Sequence, residues 1–369
     1  MAILIGIDEA GYGPNYGPLV VAATAWHVPE AKVSGVGCQG SEVGEAASTA
    51  AQQHGTSKAG SATTLNPQSE LRNPKSPAPN LYRLLRTVVA KSASDRRIAI
   101  ADSKSLYAPG LGLRQLERGL HAVLRSMQHV PSCWSTILEC CHADPAGHHK
   151  THCWPAGHNC PLPLHAAEDE VIRLEARFTR ACESAEVRPL MIRARLVYPA
   201  EFNDLCEQHG TKGAALSHIT VALLREVIDT VPTFAPSSSP LAPIYALCDK
   251  HGGRNFYAAL LQHHFSENWI EPIFETHTES CYEWGAAESR TRVSFRMKGE
   301  QFLPTALASM TAKYLRELSM RAFNEFWSAQ VPNLRPTAGY PQDAKRFRQD
   351  IASAQARLAI DDRVLWRNK

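Results

Sequence analysis

No apolar run in this 369-residue chain approaches the roughly 18 residues that a membrane-spanning helix needs. The opening stretch Met1 to Ile7 has no basic segment and no apolar core long enough for a secretory signal. A soluble, cytoplasmic protein without a membrane partner is therefore expected. An excess of charge is also missing. With 39 basic and 36 acidic residues the net charge is +3, so bulk composition does not announce a nucleic-acid binder, and any basic footprint must be local. No internal repeat is visible. Among the ten cysteines, Cys182, Cys206, Cys248 and Cys281 are scattered through patterned segments, as reduced core thiols would be. What is present is a 44% hydrophobic content, enough for a globular core in a chain of one large or two modest domains.

Two apolar, β-branched segments come first, Ile3 to Ile7 and Leu19 to Val28, separated by Gly and Pro; they predict a two-stranded hairpin with a functional turn. Residues 34–80 are rich in Gly, Ala, Ser, Thr and Pro and nearly lack large apolar residues, so they are expected to form a disordered or loosely held low-complexity insertion. Asn80 to Lys91 reads as helix, Ile98 to Ala101 as a short strand entering a polar turn at Asp102. Residues 111–127 read as an amphipathic helix with Leu113, Leu116, Leu120 and Leu124 on one face. A Cys/His-rich insertion, 128–165, breaks the pattern. Strands are expected at 190–199, at Ile244 to Asp249, and in "WIEPIFET" and "TRVSFRMKGE"; helices at 213–229 and Leu303 to Trp327, the latter with Pro304 near its first turn. This mixture favours an α/β fold with a mixed sheet and helices on its faces.

Three of these strands run into acids: Asp8 with Glu9, Asp249, and Glu300. A strand end is where an α/β sheet presents side chains to a substrate. Adjacent residues on a strand point to opposite faces, so Asp8 and Glu9 converge only if the pleat ends there, and Gly11 and Gly13 permit that. Carboxylates gathered in one place need a counter-charge. Oxygen-only ligands select hard cations such as Mg²⁺ or Mn²⁺, and two such ions about 4 Å apart suit phosphodiester hydrolysis. Each acid taken alone reads equally as a solvated turn residue; the set does not.

The motifs that carry these acids resemble those of type 2 ribonucleases H, the ribonuclease HII and HIII family. "GIDEAGYGPNYGPLVVAA" resembles the family's opening motif and "ADSKSL" its second. "RARLVYPAEFNDLCEQHGTKGAALSHITVALLREV" resembles its central strand and helix, "CDKHGG" stands where the third acid belongs, and "MKGEQFLPTALASMTAKYLREL" resembles the segment of the fourth acid. "GYPQDAKRF" is similar to the closing Gly-Tyr motif. The motifs fall in the family's order over about two-thirds of the chain. The resemblance implies a ribonuclease H-like mixed sheet, mainly five-stranded and flanked by helices. It implies a catalytic domain at 1–330, with inserted loops, and a basic C-terminal helical extension at 331–369. It further implies a monomeric hydrolase, an endonuclease that cuts the RNA strand of RNA–DNA hybrids with Mg²⁺ or Mn²⁺. Asp8, Glu9, Asp249 and Glu300 would be catalytic metal ligands. Ser103 and Lys104 would lie near the substrate backbone. Gly11, Tyr12 and Gly13 would read the 2′-hydroxyl, which separates RNA from DNA, and Tyr340 would stack near a sugar. Two positions depart from the family. Tyr12 replaces the usual Arg or Lys between the turn glycines, exchanging a phosphate-binding cation for a group that donates or stacks. Glu300 replaces Asp. A nuclease with a shifted DNA or structured substrate, or a non-catalytic hybrid-binding protein, are the alternatives.

Other features carry less. "GYGPNYG" is not the G-x-G-x-x-G of a dinucleotide site, and its preceding acids would repel a pyrophosphate. Cys140, Cys141, His142, His148, His149, His152, Cys153, His158 and Cys160 offer zinc ligands, but without paired short spacing a surface loop is expected instead. Arg254, beside Asp249, and Arg292, Arg296 and Lys298, before Glu300, are candidates to meet phosphates. The basic residues 345–369 read either as phosphate contacts or as a solvated helix face. His251 and His165 read as turn histidines rather than bases.

Overall fold

The computed structural model describes residues 1–29, 79–94, 96–107, 112–147, 154, 157–234 and 242–368. Most of the expected 34–80 insertion lies outside them. Residues 1–30 and 79–369 form one unit by their contacts, so 331–369 belongs to the same unit as the sheet.

The first strand, β1 (Ala2–Ala10), and the second, β2 (Leu19–Val28), form the expected antiparallel hairpin, with Asp8 opposite Ala22 and Glu9 opposite Val21. Both are buried along most of their length, as Ile, Leu and Val on a central pleat dictate. The segment Asn80 to Lys91 is helical only over Leu81–Leu84, capped by Asn80, and then becomes β3 (Val89–Ala90), which pairs with β4 (Ile98–Ala99). The β-branched pair Val88 and Val89 instead favours the extended backbone that follows. The helix Arg114–Ser126 buries Leu116, Leu120 and Leu124 as its spacing predicts.

β5 (Arg188–Val197), β6 (Ile244–Asp249), β7 (Glu271–Glu275), β8 (Glu279–Trp284) and β9 (Thr291–Arg296) complete a seven-stranded sheet ordered β5-β2-β1-β6-β9-β8-β7. It is wider than the five strands expected. β8, "ESCYEW", was not anticipated, because glutamates interrupt its apolar pattern; it pairs antiparallel to both β7 and β9. β6 runs parallel to β1 and β9, and the remaining pairings are antiparallel, so the sheet is mixed.

The Cys/His-rich stretch does not lie over the surface as a loop where it is described. The helix Trp134–Cys140 buries Trp134, Ile137 and Leu138, and the carbonyls of Cys141 and Ala143 accept hydrogen bonds from Ala194 and Leu196 of β5, at 2.9 Å each. That backbone covers a sheet edge that would otherwise be open. The buried Glu117 carboxylate accepts from the amides of Leu164, His165 and Ala166 at 2.7–2.8 Å and anchors the end of the stretch. His165 is a structural acceptor for the Leu113 amide. His148, His149, His152 and Cys153 lie outside the described residues.

The long helix Leu303–Gln330 crosses β1 and β2. A Cβ at Gly6 would lie 2.0 Å from the Thr305 nitrogen, so only glycine permits this approach. Thr24 donates to the Pro304 carbonyl (2.8 Å) and Thr305 to that of Leu247 (3.0 Å), pinning the helix start across three strands.

Candidate functional site

The ladder between β1 and β6 ends at Ile7 opposite Cys248, one residue before both Asp8 and Asp249. β1 continues its pairing with β2 through Ala10, so the pleat does not end at Glu9 as expected. The convergence arises instead where β1 and β6 part. Asp8, Glu9 and Asp249 each place a carboxylate oxygen there, all within 4.8 Å of one another, and the three are half-buried. Glu300 stands outside this trio, on the turn Gly299–Gln301 beyond β9, near enough that its charge acts on Asp249.

Electrostatics follow from the crowding. Loss of water holds the Asp8 carboxyl well above its usual range, and the charges of Glu9 and Asp249 add to this. Glu9 is pushed up to about 7 by burial and then by Asp249, with Lys104 pulling the other way. Asp249 is raised by burial, against the amide of Gly299, which donates to its Oδ1 at 3.3 Å. Asp8 is held by the Glu9 amide, which donates to its Oδ1 at 2.8 Å, and Ser309 lies near enough to pull its carboxyl back down. The Ser309 hydroxyl lies 3.1 Å from that of Ser103, which is only 5% exposed. Asp102 caps the short helix Ser103–Leu106, accepting from the Lys104 amide, and so fixes both Ser103 and Lys104.

The glycine turn sits on buried arginines. Gly11 has φ +88°, and a Cβ there would meet Arg316 Nε at 2.3 Å. Arg367 donates to the carbonyls of Gly11 (2.6 Å) and Pro14. Its own amide donates to the Asn15 carbonyl, and the Asn15 side chain donates back to the Arg367 carbonyl. Burial, and then the charge of Arg316, bring the Arg367 guanidinium down to about 9. The C-terminal end therefore clasps the turn from beneath. Arg346, Arg348 and Arg363 are engaged by Asp343 and Asp350, by Asp362, and by Asp204 with Glu207. These basic residues build the tail; they do not form a free cationic face.

Tyr340 is 53% exposed beside Gly13. Tyr12 is half-buried, with Lys212 Nζ 4.7 Å from its ring centre. Arg254 lies over the Tyr257 ring at 5.8 Å and its charge acts on His251. Arg290 and Arg292 pair with Glu283, and Arg296 faces Glu279 at 3.8 Å. His251 is enclosed, its two ring nitrogens within hydrogen-bond reach of the Ser217 and Thr220 hydroxyls, and burial lowers it to about 3. Ser309 and Lys212 escaped the sequence reading, and Arg316 and Arg367 were read there only as cations that could meet phosphate. Lys212 left a signal there, inside the quoted "GTKGAALSH" segment; the others act across hundreds of residues.

The donor set fits a hard divalent cation. It is all oxygen, its central carboxylate accepts from the Glu9 amide, and among the described residues Lys104 is the cation whose charge acts on Glu9 and Asp249.

No protein-family model matches the sequence, and no curated protein matches it. Solved structures do. The ribonuclease H2 of Pyrococcus horikoshii is 13% identical, with a TM-score of 0.41, over 98% of this chain and 92% of that one. The ribonuclease HII of Archaeoglobus fulgidus, solved in complex with PCNA, gives 13% and 0.40 over 98% and 93%. Bst-RNase HIII in complex with Mn²⁺ gives 12% and 0.34 over 99% and 66%. The chain is similar to these three proteins at a level from which no chemistry follows; that comes from the carboxylates.

Proposed function

We propose that the chain is a metal-dependent endonuclease that hydrolyses the RNA strand of RNA–DNA hybrids. One observation carries this reading: acids from two neighbouring strands converge, half-buried and mutually repelling, where those strands part. Asp8, Glu9 and Asp249 would hold divalent ions, with Glu300 approaching from the side of Asp249. Ions bound there supply Lewis acidity toward a phosphate and a water of lowered pKa.

The chain's own groups do the rest. The Glu9 amide fixes an Asp8 oxygen in place, and Ser309 nearby favours its charged form. Lys104 carries a charge that offsets the acids and suits an incoming phosphate. Arg367 and Arg316 hold the turn at Gly11, while exposed Gly13, beside the Tyr340 ring, leaves backbone open to a 2′-hydroxyl. Tyr340 offers a ring beside it. Lys212 on Tyr12 restores a cation where the turn lost one.

The test is a cleavage assay with Mg²⁺ or Mn²⁺ on three duplexes: one with an RNA run, one with a single ribonucleotide, and plain DNA. Cutting of a ribose-containing strand, abolished by EDTA and by Asp8→Asn, is expected. Equal cutting of plain DNA would replace the ribose-specific reading with a general nuclease. Binding of the hybrid without cutting under either ion would overturn the enzymatic reading.

A further inference from the structure

Four histidines gather away from the carboxylate trio. His209 ends the helix Pro199–His209, His218 lies on Lys212–Thr230, and His263 and His264 close Ala258–His264. His218, His263 and His264 each offer a ring nitrogen within 4.8 Å of the other two. His218 Nδ1 and His264 Nε2 are 3.1 Å apart. His209 stacks on His218, with ring centres 3.8 Å apart and planes 11° from parallel. The group lines a cavity of about 330 Å³, together with Glu201, Glu226 and Arg195.

A hydrogen bond between two neutral rings explains His218 and His264 but not the third nitrogen. Two imidazoles on one tetrahedral Zn²⁺, with Zn–N near 2.0–2.1 Å, stand about 3.3 Å apart, close to the separation seen. We propose that His218, His263 and His264 form a second ion site, selective for a nitrogen-seeking divalent transition metal of the Zn²⁺ and Ni²⁺ type, with His209 as the stacking buttress that orients His218. Imidazole donors prefer such ions over Mg²⁺ and Mn²⁺, so the site is chemically orthogonal to the carboxylates. Burial, and then the neighbouring His209, His264 and His263, keep His218 neutral, down at about 4, which leaves its nitrogen able to ligate. The open position and the cavity leave room for water. The two helices that would be bridged flank β6 in sequence, so a bound ion braces the segment that carries Asp249.

The test uses the full-length chain without an affinity tag. Zn²⁺ is titrated calorimetrically into wild type, Asp8→Asn, His263→Ala and His218→Asn, with Mg²⁺ as the contrasting ion. Wild type and Asp8→Asn are expected to share one Zn²⁺ equivalent. Even a residue behind a metal ligand contributes about 10–100-fold in affinity, so each histidine variant is expected to weaken binding by at least that factor. His263 is exposed, so its variant tests the site without disturbing the core. Zn²⁺ should raise the melting temperature of wild type and Asp8→Asn but not of the histidine variants. Co²⁺-loaded wild type should show the visible bands of nitrogen-ligated tetrahedral cobalt, lost in the same variants. The proposal is overturned if wild type takes up no Zn²⁺ at micromolar concentration. It is equally overturned if both histidine variants bind Zn²⁺ as tightly as wild type, which would place the ion elsewhere, for instance on the 128–165 segment.

Discussion

Asp8, Glu9 and Asp249 crowd three acids into one place and respond by holding on to protons; four imidazoles crowd together at His209, His218, His263 and His264, and among them His218 and His264 give theirs up more readily. In both places burial penalises the charged form first, and like charges nearby add to it. The consequences for ion binding are opposite. A cation at the acids displaces protons and relieves repulsion that is already present. A cation at the imidazoles adds charge where His218 and His264 already disfavour it. The two also differ in construction. The acids are placed by strands and locked by one long helix, whereas the imidazoles are placed by the ends and faces of three shorter helices.

The largest effect should come from Asp8→Asn, which is expected to lower hybrid cleavage by about 10³-fold or more, the scale on which a preorganised electrostatic element contributes. Steady-state cleavage would show it, and His263→Ala measured alongside should cut at the wild-type rate. Loss of cleavage in both would erase the distinction between the sites. Next, Gly6→Ala drives a methyl into the Thr305 backbone and should destabilise the chain by about 1–3 kcal/mol in urea unfolding. Because it lifts the helix bearing Ser309, it should impair cleavage while leaving Zn²⁺ affinity unchanged.

A pH experiment sharpens the electrostatic half of the contrast. Glu9 rises from an ordinary 4.5 to about 7 on folding, so between those values the folded chain holds more protons than the unfolded one. The contribution of Glu9, read in EDTA as the difference in stability between wild type and Glu9→Gln, should therefore fall as pH rises through that window, by on the order of a few kcal/mol. The variant removes from the comparison the opposite slope that His218 and His251, lowered on folding, give to both chains. A difference that rises with pH there would mean that folding does not raise Glu9. The smallest effect is expected from Ser309→Ala, about 1 kcal/mol for one hydrogen bond, read as a modest rise in the Mn²⁺ concentration needed for half-maximal cleavage.

How much of this was legible beforehand depended on sequence distance. The β1–β2 hairpin, the acids at the ends of β1 and β6, and the leucine face of Arg114–Ser126 all follow from local alternation, helical spacing and glycine placement, which a linear reading can see. The Asn80–Lys91 segment misled because its helical start hides a two-residue strand, and β8 was hidden by its glutamates. The Asp8–Glu9 problem was posed correctly and answered differently: the fork between β1 and β6 does what an early end of the pleat was expected to do.

By itself, then, the sequence determined which residues are acidic, apolar or hinged, and so which segments become strands, which turn must be glycine, and which donors could choose a hard cation. Only the tertiary structure decided that Ser309 reaches Asp8, that Arg367 grips Gly11 across 356 positions, and that histidines from three helices meet. These are contacts between segments whose encounter is set by packing of the whole chain, and no local pattern encodes which two distant surfaces will exclude water together.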